Sequence, residues 1–128
     1  MTQTTETPTK DLESVQKVFS IIYPVKDLEN ATKVFSKTLG SKPAQESSYY
    51  VGFNINGLQV GLDPNGHTNG MTGPIPYYNV SDIKTKIQTL VDAGCTVQQE
   101  VKDVGYGNLM ASVKDKDGNI IGFMQSNS

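Results

Sequence analysis

The sequence predicts an α+β domain in which a βαβββ unit is used twice in tandem. Three observations carry that expectation. Tyr23-Pro24-Val25-Lys26-Asp27-Leu28 is replayed 55 residues later by Tyr78-Asn79-Val80-Ser81-Asp82-Ile83. Asn56-Gly57-Leu58-Gln59-Val60-Gly61-Leu62 is replayed 61 residues later by Asp117-Gly118-Asn119-Ile120-Ile121-Gly122-Phe123. Between the copies lies DPNGHTNGMTGP, residues 63–74, dense in Gly, Pro and Asn. Matching segments in the same order at near-constant spacing mark an internal repeat, and the punctuating residues mark a connection between the copies.

Each element has a local reason. Residues 1–17 are rich in Thr and polar side chains without periodicity, which reads as a flexible tail; residues 11–18 offer at most one helical turn. Residues 18–23, VFSIIY, are β-branched and aromatic and are closed by Pro24, so they read as a strand. Asp27 stands at an N-cap position, and Leu28, Ala31, Val34, Phe35 and Leu39 recur on one helical face. Gly40 ends that helix. Residues 49–55 and 58–62 are strands joined by Asn56-Gly57, a favoured two-residue hairpin turn. The first module therefore spans 18–64, a linker 65–74, and the second module 75–126.

In the second module residues 75–80 form a strand. Ser81 or Asp82 caps a helix with Ile83, Ile87, Leu90 and Val91 on its apolar face, and Gly94 stops it. Residues 95–101 alternate as a strand does, 108–113 form another, and Asp117-Gly118 turns the chain into 119–124. Each half reads strand, helix, then about three strands.

Composition narrows the function. The chain has 128 residues, a length that suits one domain with its own core. All eleven cations are lysines and the net charge is -2. Without arginine there is no bidentate reader of guanine or phosphate, and an acidic chain is repelled by nucleic acid and anionic membranes. No stretch approaches the ~20 apolar residues of a membrane span, and the N-terminus has no apolar core of a secretory signal. A cytoplasmic location is the default expectation. One cysteine, Cys95, excludes an internal disulfide and any Cys-rich zinc site. It follows the stop of a helix, where the dipole disfavours a thiolate, so it reads as a packed, inert thiol. GxGxxG and P-loop patterns are absent.

The duplicated unit resembles the vicinal oxygen chelate superfamily, which includes glyoxalase I, extradiol dioxygenases and bleomycin-resistance proteins. The most specific stretch is Asp115-Lys116-Asp117-Gly118-Asn119-Ile120-Ile121-Gly122-Phe123, similar to the closing Asp-Pro-Asp-Gly-Asn motif of that family. Val25–Leu28 and Val80–Ile83 resemble its strand-to-helix junctions, and Tyr106-Gly107 is also similar. The resemblance implies an open, curled mixed sheet with helices on the convex side and a cavity between the modules. It also implies pairing as a homodimer, with the cups joined within one chain or exchanged between two.

Catalytic members of that superfamily hold a divalent metal at four positions, two per half. Carried onto this chain, these fall on Ser20 and Ile75 of the first strands and on Gly61 and Gly122 of the last. Ile and Gly carry no donor and a serine hydroxyl is a poor one, whereas such ions want imidazole, thiolate or carboxylate. No metal and no cofactor are expected. Asp63 and His67, with Glu100 or Asp103, are the only alternative donors worth naming, and a lone His with scattered carboxylates falls short of a tight site.

Strand alternation sorts the remaining side chains. Leu58, Val60, Leu62, Tyr78, Val80, Ile121 and Phe123 should face the helices. Ser20, Ile22, Gln59, Gly61, Ile75, Tyr77, Ser112, Ile120, Gly122 and Met124 should line the cavity, with Met110 or Leu109 beside them. Tyr49, Tyr50, Phe53 and Tyr106 should close its mouth. With two glycines where bulky ligands usually stand, the expected function is binding of a small apolar or aromatic molecule between the modules. The competing expectations are a metal-dependent lyase or dioxygenase with displaced ligands, and an interaction module whose cup is filled by its own side chains.

Overall fold

The computed structural model describes residues 14–127. Most of the expected tail lies outside them, as do residues 11–13 of the possible helical turn over 11–18. Residues 14–16 are neither helix nor strand, and the first strand already begins at Lys17.

In chain order the elements are β1 (Lys17–Pro24), α1 (Leu28–Leu39), β2 (Gln45–Glu46), β3 (Val51–Ile55) and β4 (Leu58–Asp63). The second half supplies β5 (Ile75–Asn79), α2 (Ile83–Asp92), β6 (Thr96–Asp103), β7 (Leu109–Lys114) and β8 (Ile120–Gln125). All eight strands form one open mixed sheet in the order β2-β3-β4-β1-β5-β8-β7-β6. Each half is a four-stranded block in which the first strand runs parallel to the last, β1 with β4 and β5 with β8. The halves join within one chain through antiparallel pairing of β1 and β5.

Local chemistry sets the joints. Asp27 caps α1 by accepting a hydrogen bond from the Asn30 amide at 3.0 Å, and Gly40 ends the helix at φ +66°. Asp82, not Ser81, caps α2 and accepts from both the Thr85 amide (3.2 Å) and the Thr85 hydroxyl (2.8 Å). These bonds hold its carboxyl below the ordinary range. At Asn56-Gly57 both residues take positive φ, 51° and 92°, as the expected hairpin turn requires. Asp115 organises the β7–β8 turn: one carboxylate oxygen accepts from the Asp117 and Asn119 amides, the other from the Asn119 side chain at 3.0 Å. The stretch with the strongest family resemblance is thus a self-bonded turn in this chain.

Both helices cover one face of the sheet. Under α1 the core is Val51, Phe53, Val60 and Leu62, joined by Tyr23, Val25, Phe35 and Leu58. Under α2 it is Val80, Ile83, Ala111, Val113 and Phe123, joined by Tyr78, Leu109 and Ile121. Cys95 packs against this second core. Phe53, 1 % exposed, belongs to the core and not to the cavity mouth where the sequence sets it. It alternates with Gly52 and Asn54, so it shares the helix side with Val51. The same alternation sends Leu109 to the core and Met110 to the other face.

The linker is more ordered than its composition suggests. Asp63 Oδ1 accepts from the Asn65 amide at 2.8 Å. Met71 N donates to Gly66 O at 2.9 Å, and Asn69 N to Asn65 O at 3.0 Å. Gly66 is buried, and a Cβ there would stand 2.6 Å from Pro24 Cβ. Successive turns wind this segment into a compact cap against the end of β1.

Candidate functional site

The concave face carries a transverse row of small and polar side chains. Reading across the ladder, Asn54 stands opposite Gln59, Gln59 beside Ser20, Ser20 opposite Tyr77, Tyr77 beside Gly122, Gly122 opposite Ser112, and Ser112 opposite Gln99. Residues opposite one another across a ladder share a face. The neighbouring row runs Gly52, Gly61, Ile22, Ile75. The residues expected on strands β1, β4, β5, β7 and β8 therefore do share one face.

The centre of that face is not open. Tyr50, just ahead of β3, lies across Gly52 and Gly61: a Cβ on Gly61 would stand 2.7 Å from its Cζ, and one on Gly52 3.1 Å from its Cε2. The Tyr77 ring lies flat over Gly122 in the same way, with 2.5 Å left to Cε2 and 2.8 Å to Cγ. Real Cβ contacts are not as short as those at Gly61 and Gly122, and the one at Gly52 is tighter than most, so a side chain at any of the three would displace a ring. The volume freed by two glycines is taken by two phenols. Burial pushes both phenols up from their ordinary value, and the Asp63 carboxylate pushes them further. Tyr77 is raised by Tyr50 as well. Both stay protonated at neutral pH and can donate.

Space remains in the second half. A pocket of about 210 Å³ has Ile75, Tyr77 and Ser112 as its floor, Gln98, Gln99 and Lys102 of β6 as its wall, and Asp63, Asn69 and Met71 of the cap as its roof. The β6–β7 ladder shifts register on both sides of Gln99, so Gln98 and Gln99 both reach the pocket where strict alternation would admit one. Gly70, at φ +94°, brings the cap close to β6: a Cβ there would stand 3.1 Å from Gln98 Nε2. Ser112 is 2 % exposed, and its hydroxyl makes no hydrogen bond to any described residue. Ser20, at 4 %, is in the same state.

Of the residues expected to line a cavity, Ile75, Tyr77 and Ser112 do so. Gly61 lies beneath Tyr50 with Ile22 paired beside it, Ser20 is buried between Gln59 and Tyr77, and Gly122 lies beneath Tyr77. Gln59 is exposed at the first half's end of the row. Ile120 and Met124 are buried on β8 without reaching the pocket. Tyr106 departs furthest: at φ +56° in the β6–β7 turn its side chain is 94 % exposed, and only its carbonyl is engaged, by Asn127 Nδ2 at 2.6 Å. Tyr49, 75 % exposed, does not close a mouth either. Asn69, Met71, Gln98, Gln99 and Lys102 are additions that the sequence does not announce; no periodic signal in it reports a bulge or a folded cap.

A divalent ion at the four positions implied by the resemblance would need donors from Ser20, Gly61, Ile75 and Gly122. Three have no side-chain donor, and both glycine positions are covered by phenol rings. The residues present do not fit the group. Asp63 lines the pocket while His67 is exposed on the cap, and the Asp103 carboxylate accepts from the Gly105 amide at 2.7 Å. No cluster of three or more His, Cys, Asp or Glu side chains occurs among the described residues. No described helix is long and apolar enough to cross a membrane.

Residues 17–123 match the family model described as Glyoxalase/Bleomycin resistance protein/Dioxygenase superfamily. A glyoxalase/bleomycin resistance protein/dioxygenase superfamily member from Vibrio splendidus 12B01 superposes with a TM-score of 0.66 at 19% identity, covering 88% of this chain and 100% of that one. Methylmalonyl-CoA epimerase from Mycobacterium tuberculosis gives 0.64 at 16% identity, covering 89% and 90%. A variant of the Streptomyces coelicolor methylmalonyl-CoA epimerase, in complex with 2-nitronate-propionyl-CoA, gives 0.64 at 14% identity, covering 90% and 100%. Identities this low establish the shared fold. No curated protein matches the chain in sequence.

Proposed function

Since the chain belongs to the glyoxalase/bleomycin resistance protein/dioxygenase superfamily, we propose that it is a binding member of it, holding a small molecule in the pocket of its second half without a divalent metal. One observation carries this reading. At the two last-strand positions where relatives place a metal ligand, this chain has glycines, and Tyr50 and Tyr77 lie over them. That arrangement removes the Lewis acid of the family's isomerisation and ring-cleavage chemistry and leaves a shaped, mixed surface. The lining is more polar than the sequence suggests, because β6 and the cap contribute amides and one charge of each sign. A second chain is not needed to build the site, because β1 and β5 already join the halves.

The filled centre also favours the rival, a cup with no ligand at all. Thermal-shift screening of the full chain against a small-molecule library, with elemental analysis of the same preparation, separates the readings. The expected result is no stoichiometric metal, insensitivity to chelation, and at least one stabilising compound. A binder at a hundredfold excess over Kd adds about 2.7 kcal/mol. Stoichiometric metal lost on chelation would overturn the reading in favour of an enzyme. A library without any stabiliser would overturn it in favour of the filled cup.

A further inference from the structure

We propose that an apolar groove beside α2 is the docking site of this chain's own N-terminal segment, with Leu12 seated against the Tyr78 and Phe123 rings. The groove lies on the helix-covered face of the sheet, opposite the ligand pocket, so its occupancy does not depend on what that pocket binds.

The groove marks a difference between the repeats. At the 55-residue offset Tyr23 corresponds to Tyr78 and Phe35 to Leu90. In the first half Phe35 of α1 covers Tyr23, with ring centroids 4.8 Å apart. In the second half α2 offers Leu90 at that place, and Tyr78 meets Phe123 of β8 at 6.3 Å. A leucine reaches less far than a phenylalanine. A groove of about 340 Å³ remains, lined by Val15, Tyr78, Lys86, Leu90, Ile121 and Phe123. Apart from Lys86 these side chains are apolar or aromatic, and surface of that kind left in water is a loss that one more apolar side chain would recover.

Three observations name the occupant. The first is where the described chain begins. Ser14 stands beside Ser81, Asp82 and Thr85 at the start of α2, and Val15 is itself a wall of the groove. The Gln16 amide donates to Asn79 O at 2.9 Å, which ties this end of the chain to β5. Residues 1–13, outside the described residues, therefore join the chain at the groove. Leu12 is three residues from Val15, a chain reach of at most ~10 Å. The second is composition: between Thr2 and Glu13, Leu12 is the one apolar side chain apart from Pro8. The third is charge. Leu12 is flanked by Asp11 and Glu13, whereas α2 carries Lys84 and Lys86 and no acidic residue from Ile83 to Val91. Exposed ion pairs add little, so these charges set the orientation and Leu12 supplies most of the gain.

The test is proton NMR of the full chain, combined with thermal unfolding of variants. The Leu12 methyl resonances are expected to shift upfield and to show nuclear Overhauser contacts to the Tyr78 and Phe123 rings. Leu12→Ala should lower the melting temperature by about 3–6 °C. Leu90→Phe should fill the groove from α2, as Phe35 does in the first half, and in that background Leu12→Ala should cost less than about 1 °C. Should Leu90→Phe not fold, the ring contacts of Leu12 in the wild-type chain decide. Leu12 methyls without contact to either ring, or a Leu12→Ala variant that melts as the wild type does, would overturn the proposal. An equal loss from Leu12→Ala in both backgrounds would put Leu12 somewhere other than the groove and overturn it too. Contacts seen only between differently labelled copies in a mixed-isotope sample would overturn it in favour of a second copy as the occupant.

Discussion

The two halves of the molecule share an element order and differ at one edge. In the first half the strand after the helix, β2, is a two-residue stub, Gln45–Glu46. In the second its counterpart, β6, runs for eight residues, Thr96–Asp103. With no wall at its edge the first half closes by folding Tyr50 inward across Gly52 and Gly61. The second half also seats a ring, Tyr77 over Gly122, but the long β6 and the cap hold a pocket open beside it. The same βαβββ plan thus gives a filled cup and a partly open one, and the difference lies in how far one strand extends.

Substitutions at the paired glycines should break this comparison most strongly. Gly122→Ala is expected to destabilise by about 2–3 kcal/mol, because the added methyl meets Tyr77 down to Cγ, near the root of the side chain. Gly61→Ala should lose only about 1 kcal/mol, since it meets the far end of Tyr50, which can swing away. Urea unfolding measures both. The double variant Tyr77→Ala/Gly122→Ala should show strong positive coupling in a mutant cycle. Equal losses at the two glycines would mean that the rings are not held differently.

Ser20→Ala sharpens the comparison from the filled side. The hydroxyl is buried without a partner among the described residues, so removing it should stabilise the chain by up to about 1 kcal/mol in the same unfolding assay. A loss of stability of that size would show that the Ser20 hydroxyl is bonded in solution.

A smaller effect is expected in alkali. Tyr50 and Tyr77 are raised above 10.0, burial first and Asp63 second. A raised folded value contributes stability that is whole below the unfolded value and is lost as pH climbs through the folded one. Stability should therefore fall above about pH 10. Phenolate absorbance should show a late-titrating component that Tyr50→Phe and Tyr77→Phe each reduce.

The smallest effect is at acid pH. Asp82 is lowered chiefly by the Thr85 amide, and Asp115 chiefly by the Asn119 side chain. Lowered values contribute above the unfolded 3.8 and are lost as pH falls through the folded value. Asp82→Asn and Asp115→Asn should each flatten the melting temperature's dependence on pH below about 4, by little, because both groups are exposed.

Much of the fold was legible because its causes are local. The Asp27 cap, the Asn56-Gly57 turn, the Gly40 stop and the alternation of Leu58, Val60 and Leu62 each depend on a few neighbouring residues. The helix-facing and cavity-facing sets of β4, β5 and β8 follow from alternation alone. Three features were not legible. β2 is too short to show a period. The bulges of β6 put Gln98 and Gln99 into the pocket together, against the alternation rule. Tyr50 meets Gly61 across a hairpin, a packing choice between residues whose separate identities, an aromatic and a glycine, carry no hint of each other. That Gly61 and Gly122 offer no side-chain donor is plain from their identity. What fills the space they leave is not, because a missing side chain admits a neighbouring ring as readily as a cavity.

The most direct test of the tyrosine-for-metal exchange is calorimetric titration of the purified, chelator-treated chain with zinc, manganese and ferrous ions. The expected result is no saturable uptake, and none after Tyr50→Phe or Tyr77→Phe. Stoichiometric binding of one ion per chain, abolished by substitution at Tyr50, Tyr77 or Asp63, would contradict it.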